Sequence, residues 1–315
     1  MARILVTGAG GFVGAALCPA LAACGHNVIA GLRRAAASQA ALAVAGVELH
    51  IIGNIAPGRD WGALPRGVDV VVHLAQRAHR RADRHSLAAE PEAAAALALG
   101  AAQAGVRRFV YVSSIKAMGE ATRPGRPFRA DDPPHPGDAY GRAKLASERA
   151  LAEIAAQSGL ELVVLRPPLV YGPGVRGNFR ALARLATSGL PLPFAALDNR
   201  RSLLFVGNLA DLIATAAAHP AAARGVLLAR DGADLPFREL IRLLAAGAPR
   251  PARLVALPPA AWAALRLLPG IGPTVARLTL PLQLDDGPTR ALLGWRPPHE
   301  AEAALQLTAA ALAPQ

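Results

Sequence analysis

Short unbroken apolar runs punctuate the first half of the chain, and longer mixed stretches separate them. Ile4-Leu5-Val6 is the first, and others fall within 27–30, 69–74, 108–113 and 161–166, while the mixed segment 48–52 is a further strand candidate. Runs this short, without polar alternation, predict strands covered on both faces, as in a parallel sheet. The intervening stretches 15–23, 90–104 and 139–157 space their apolar residues as helices do. Gly25 closes the first of these as a C-cap, and Asp138 opens the last as an N-cap. Strand and helix in turn predict an α/β fold on a doubly wound parallel sheet. Beyond about residue 170 the alternation weakens and proline becomes frequent, which marks a second, smaller domain.

The turn after the first strand carries the first chemistry. In Thr7-Gly8-Ala9-Gly10-Gly11-Phe12-Val13-Gly14, glycine recurs at every third position between strand and helix. Such glycines permit a tight turn and let the helix N-terminus approach a pyrophosphate. The segment predicts a Rossmann dinucleotide site. Residues 1–170, with a returning segment near 200–230, are the expected cofactor domain, and 171–315 mainly bind substrate.

Only two lysines occur in the chain, and both lie among residues able to do chemistry. Lys144 stands four residues after Tyr140, so the two share a helix face. An ammonium beside a phenol favours the phenolate and lowers its pKa toward neutrality, which makes Tyr140 a candidate proton-transfer group. Lys116 follows Ser113-Ser114-Ile115.

Composition narrows the class further. A chain of 315 residues suits one dinucleotide-binding domain plus a smaller one. The apolar stretch 254–282 is broken by five prolines and predicts packed helices of the substrate domain, with membrane-surface contact as the lesser alternative and no membrane span. The chain opens on its first strand without a secretory leader, so a cytoplasmic protein is expected. Cys18 and Cys24 have no metal-ligand spacing and are expected to be reduced core thiols. Net charge is +12, yet the arginines are scattered without interleaved aromatics, so nucleic acid is not an expected partner. The densest group, Arg77 to Arg84, reads as a solvated face.

These residues together resemble the extended short-chain dehydrogenase/reductases, the epimerase/dehydratase superfamily of nucleotide-sugar enzymes. The matching segments are the glycine turn, Asp69-Val-Val-Val-His73-Leu74-Ala75, Ser113-Ser114, Tyr140-x-x-x-Lys144 and Arg166-Pro167-Pro-Leu-Val-Tyr171-Gly172. Arg201-Ser-Leu-Leu-Phe-Val206 and Leu293-Gly294-Trp295 follow in the same order. The resemblance implies that Ser114 holds the substrate oxygen, Tyr140 exchanges the proton, and Lys144 grips the nicotinamide ribose. It assigns cofactor contacts to Gly8, Gly11, Phe12, Val13, Gly14, Asn54, Ile55, His73, Leu74, Ala75 and Pro167. Asn54 stands where the family often has Asp against adenine, and its amide can accept the same amino proton.

After the second strand an NAD site usually supplies a carboxylate, but this chain reads Gly31-Leu32-Arg33-Arg34. Arginines suit a ribose 2′-phosphate, so NADP(H) is expected, with NAD(H) as the alternative. Ile115 and Lys116 fill the positions of the Asp-Glu pair of sugar 4,6-dehydratases, which argues against elimination of water. The stretch after Tyr171 predicts a helix over 178–188 capped by Asn178, which with Arg176 and Arg180 nearby reads as a diphosphate cradle; the resemblance implies that Arg201 binds the same diphosphate. Arg277 is a further expected substrate contact, and Lys116 is expected near the sugar. Leu169 replaces the Asn that many epimerases place there. Residues 121–137, rich in proline and glycine, read as a lid or a plain surface crossover. The combined motifs resemble a narrower branch of reductases acting on a UDP-4-keto-6-deoxy-N-acetylhexosamine for bacterial surface polysaccharide. The alternatives are a UDP-hexose 4-epimerase with retained NAD and a non-catalytic NADP(H)-binding protein. A helix-bundle homodimer is common in the family.

Overall fold

A computed structural model describes residues 1–34, 42, 46–61, 64–75, 84–246 and 252–312. Its first six strands are β1 (Arg3–Thr7), β2 (Asn27–Leu32), β3 (Glu48–Ile51), β4 (Val70–His73), β5 (Arg108–Val112) and β6 (Glu161–Leu165). Shorter ones follow: β7 (Leu169–Tyr171), β8 (Pro191–Leu192), β9 (Arg200–Arg201), β10 (Leu203–Phe205), β11 (Val226–Leu227), β12 (Leu235–Pro236) and β13 (Arg253–Leu254). The main sheet has seven parallel strands in the order β11-β6-β5-β4-β1-β2-β3. The five strands expected after the first end within two residues of their expected bounds. Strand order reverses at β1, whose Thr7 lies opposite both Gly31 and His73, so three carboxyl ends stop level there. In such sheets that point is where ligands bind.

The first-half helices are α1 (Phe12–Ala23), α2 (Arg84–Ala88), α3 (Glu90–Gln103) and α4 (Ala139–Ser158). The second half adds α5 (Gly177–Ala186), α6 (Val206–Ala218), α7 (Phe237–Ala245), α8 (Pro259–Leu267), α9 (Gly272–Thr279), α10 (Gly287–Leu293) and α11 (Ala301–Leu312). Ile4, Val6, Val28 and Val72 face α1 and α6 through Leu17, Leu21, Leu209 and Ile213. Their neighbours Leu5, Ile29 and Val71 point to the other face, against Leu97, Ala101 and Leu151 of α3 and α4. Alternation along buried strands thus feeds two cores at once. A further core gathers Tyr171, Phe179, Phe194, Phe237 and Trp262 from the second half.

One polar residue joins the halves through the interior. Arg108 is fully buried in β5. Its guanidinium donates to the carbonyls of Ala216 at 2.8 Å, Ala217 at 3.1 Å and His219 at 2.8 Å, and to Glu161 Oε2 at 2.8 Å. It thereby satisfies the C-terminal carbonyls of α6, a helix with no basic residue in its own last turn.

One detail differs from the sequence reading, which made both cysteines core thiols. Cys18 is a core thiol, its pKa pushed up to about 12 by burial, whereas Cys24 caps the end of α1 and is exposed. Residues 121–137 form a crossover stitched to a later segment: Thr122 N donates to the Pro281 carbonyl, Phe128 N to that of Gln283, and Asp285 N to that of Phe128. The arginine-rich 77–84 stretch lies largely outside the described residues. Among the described residues no helix is long and apolar enough to cross a membrane.

Replacing Arg108 by Met leaves three helix-end carbonyls buried without a donor and takes from Glu161 one of its two arginine partners, Arg107 remaining at 2.9 Å. The expected cost is about 3 kcal/mol of unfolding free energy, read from urea denaturation.

Candidate active site

The site begins at the glycine turn. Gly8 has φ +73°, and a Cβ there would sit 2.7 Å from Ala75 N, so the ends of β1 and β4 close on each other only without a side chain. Gly14 is as confined: its Cβ would lie 2.6 Å from the carbonyl oxygens of Gly8 and Ala9. Gly11 is the N-cap of α1 and offers no side-chain cap, so the first N–H groups of the helix keep room for an anion. Phe12 and Val13 are half-buried behind them, as are Leu74 and Ala75 beyond β4. This cradle fits the pyrophosphate of a dinucleotide.

The flanks hold the remaining cofactor candidates. Arg33 and Arg34 are exposed just past the end of β2. Asn54 is exposed, and its carbonyl accepts from Arg59 Nη1 at 2.6 Å. Ile55 packs partly against the core beside Trp61. His73 points inward: its ring is buried, its Nδ1 lies 2.7 Å from Thr7 Oγ1, and it stacks on Tyr111. Burial, aided by the Lys144 charge, lowers its pKa to about 3, so it is a neutral packing residue.

Ser114 sits just past the end of β5, where its neighbours fix it. Ser113 donates to Glu148, whose carboxylate also receives Arg166 Nε at 3.0 and 3.1 Å. The buried Pro167 accepts at its carbonyl from Ile115 N at 2.9 Å. Ser114 Oγ then accepts from Lys116 N at 3.3 Å and opens a 3-10 turn over Ile115–Ala117. Asp138 caps α4 as expected, its Oδ1 accepting from Gly141 N at 2.8 Å. A Cβ on Gly141 would come within 2.3 Å of the Lys116 carbonyl, so glycine lets α4 rest on that turn. The contact brings Tyr140 beside Ser114, whose hydroxyl favours the ionised phenol.

Lys144 follows one helical turn below, fully buried. Its Nζ lies 5.5 Å from the Tyr140 ring centroid but only 2.9 Å from Glu90 Oε1 and 3.3 Å from Tyr111 OH. The lowered phenol pKa expected from sequence is therefore not found. Burial first, then the negative charges of Glu90 and Asp138, push the Tyr140 pKa up, and the Ser114 hydroxyl opposes them. Burial lowers Lys144 to about 8, against the pull of Glu90. Glu90 was missed because an acidic residue opening a helix reads as a dipole partner. Only the packing of α3 on α4 turns it toward the lysine.

The substrate-side candidates are placed unevenly. Lys116 is engaged by ion pairs with Asp138 and, at 3.0 Å, Glu120, so its ammonium is not free for a sugar as expected. Helix α5 starts at Gly177 with Arg176 as N-cap, which makes Asn178 its second residue and not the cap. Arg201 Nη1 donates to the carbonyls of Arg277 at 2.6 Å and Leu280 at 3.0 Å, and burial lowers its pKa to about 10. Arg277 itself is exposed on α9, and Leu169 is exposed in β7.

The model of the NAD dependent epimerase/dehydratase family matches residues 4–227. A UDP-glucose 4-epimerase of Vibrio cholerae is 38% identical over 98% of this chain and 94% of its own length. MoeE5, solved in complex with UDP-glucose and NAD, is 26% identical with a TM-score of 0.72 and 98% coverage of both chains. UDP-glucuronic acid 4-epimerase from Bacillus cereus in complex with NAD shares the fold, with a TM-score of 0.77 at 19% identity over 98% of each chain.

With two lysines in the chain, [ε-13C]lysine labelling gives two NMR signals, and Lys144 is expected to titrate near pH 8. Glu90 raises the lysine pKa, so Glu90→Gln removes that support and the ammonium is lost at lower pH. A downward shift of about one unit or more is expected, with Lys116 as the internal reference. An unmoved Lys144 midpoint would contradict the pairing.

Proposed function

The chain belongs to the NAD dependent epimerase/dehydratase family, and from that membership we propose that it reduces C4 of a UDP-4-keto-6-deoxy-N-acetylhexosamine. What supports reduction is the pair Arg33 and Arg34, exposed past the end of β2 where no carboxylate stands, which suits exchange with a pool of reduced NADPH; Leu169 likewise departs from the Asn that many epimerases place there.

In this reading the dinucleotide, bound on the glycine turn, supplies the hydride. The chain's own residues do the rest. Ser114 Oγ donates to the substrate carbonyl and orients it. Tyr140 gives its phenolic proton to the oxygen as negative charge develops there. The Lys144 ammonium, one helical turn away, stabilises the phenolate left behind. Arg201, Asn178 and Arg277 lie on the substrate side as candidates for the diphosphate, and residues 171–315 as mainly the sugar-binding half. Arg33 and Arg34, exposed past β2, favour NADP(H) in this chain, although MoeE5 and the Bacillus cereus enzyme were solved with NAD. A cytoplasmic homodimer completes the proposal.

The 38% identity to a UDP-glucose 4-epimerase favours a second reading, interconversion of two UDP-hexoses on a retained cofactor. The two readings differ in stoichiometry. A reductase purifies largely empty and consumes one reduced cofactor for each 4-keto sugar. An epimerase purifies loaded and interconverts UDP-hexoses with none added, and that result would displace the reductase.

Tyr140→Phe removes the proton donor and is expected to cut turnover at least about 100-fold while cofactor affinity stays near wild type. Near-wild-type turnover in that variant would sink the catalytic assignment of Tyr140. Arg33→Asp removes a phosphate partner and adds repulsion, so the Kd for NADPH should rise far more than that for NADH. Equal effects on both would show that Arg33 does not read the 2′-phosphate.

A further inference from the structure

Residues 240–284 contain no aspartate or glutamate, yet they hold Arg242, Arg250, Arg253, Arg266 and Arg277. Within this stretch α8 and α9 form a hairpin. Trp262 and Val275 turn inward to the second-half core. The outward side is apolar: Leu267 is 85% exposed, Leu268 48%, Ile271 47% and Val255 47%. Ala260, Ala263, Ala264 and Pro269 are exposed between them. The tip is tightly built, since Gly270 has φ +81° and a Cβ on Gly272 would lie 2.3 Å from the Arg266 carbonyl. These leucines are thus displayed on folded backbone.

An apolar face of this kind, on a segment whose only charged residues are arginines, has few uses. A second copy seated on it would bring arginine against arginine, which like charges resist. A nucleic acid would use the arginines but not the leucines. An anionic lipid surface uses both, taking apolar side chains into the acyl boundary and guanidinium groups onto its phosphates. The net charge of +12 draws the whole chain toward such a surface.

We propose that the α8–α9 hairpin is a membrane-docking element, with Leu267, Leu268 and Ile271 entering an anionic bilayer and Arg253 and Arg266 contacting its headgroups. Docking there sets the substrate side of the protein at the membrane, because Arg201 Nη1 is bonded to the carbonyls of Arg277 and Leu280 at the end of this hairpin. The proposal is independent of the reaction catalysed.

Full-length protein is sedimented with vesicles of phosphatidylcholine, with and without phosphatidylglycerol. The protein should pellet with the anionic vesicles and be released by high salt. The double variant Leu267→Asp with Ile271→Asp should partition at least about tenfold less. Leu49→Asp with Leu307→Asp makes the same charge change at other exposed positions and should bind like wild type. Thermal melts confirm that each variant is folded. No binding to anionic vesicles, or equal loss in both double variants, overturns the proposal. So does self-association in sedimentation velocity that the Leu267→Asp and Ile271→Asp changes abolish, since the face would then join two copies.

Discussion

The candidate site depends on one buried carboxylate. Glu148, on α4, accepts from Ser113 at the end of β5 and from the Arg166 guanidinium at the end of β6. Two strand ends and a helix are thereby held at fixed separation by charge-assisted bonds out of water, where such bonds are strong and their loss costly. Ser114 follows Ser113, and Tyr140 and Lys144 lie on the same helix as Glu148. Each functional side chain thus takes its place from a residue that performs no chemistry.

Around this anchor the charges nearly cancel. Lys144 is countered by Glu90, and Lys116 by Asp138 and Glu120. A buried ammonium without a partner would give up its proton, and a buried phenol beside an uncompensated ammonium would give up its own. Pairing Lys144 with Glu90 keeps both groups protonated. One oxygen of Glu90 remains buried without a hydrogen-bond partner, so this balance is kept at some cost to stability.

Much of this was legible in the residues alone. Buried strands announce themselves by unbroken apolar runs, and the three-residue glycine spacing allows few backbone paths between strand and helix. The Asp138 cap was equally local. What sequence spacing could not reveal was electrostatic environment. Tyr140 and Lys144 do share a face, but Glu90 sits 54 residues away from the lysine it pairs with. The substrate side was least legible, because Arg201 is an ordinary residue type whose partners are main-chain atoms and Asn178 is an exposed helix residue. A one-residue shift in the start of α5 sufficed to remove Asn178 from the cap.

The main sheet ends on β11, a strand of two residues supplied from far along the chain. Until Val226 and Leu227 arrive, β6 presents its backbone N–H and C=O groups to whatever is nearby, a template for pairing with other chains. On the ribosome that exposure lasts while the chain from β6 to β11 is made, and shielding by a chaperone would serve the protein best in that interval. A fragment cut soon after β6 would carry the whole glycine turn and Ser114, Tyr140 and Lys144, yet keep that edge open for good.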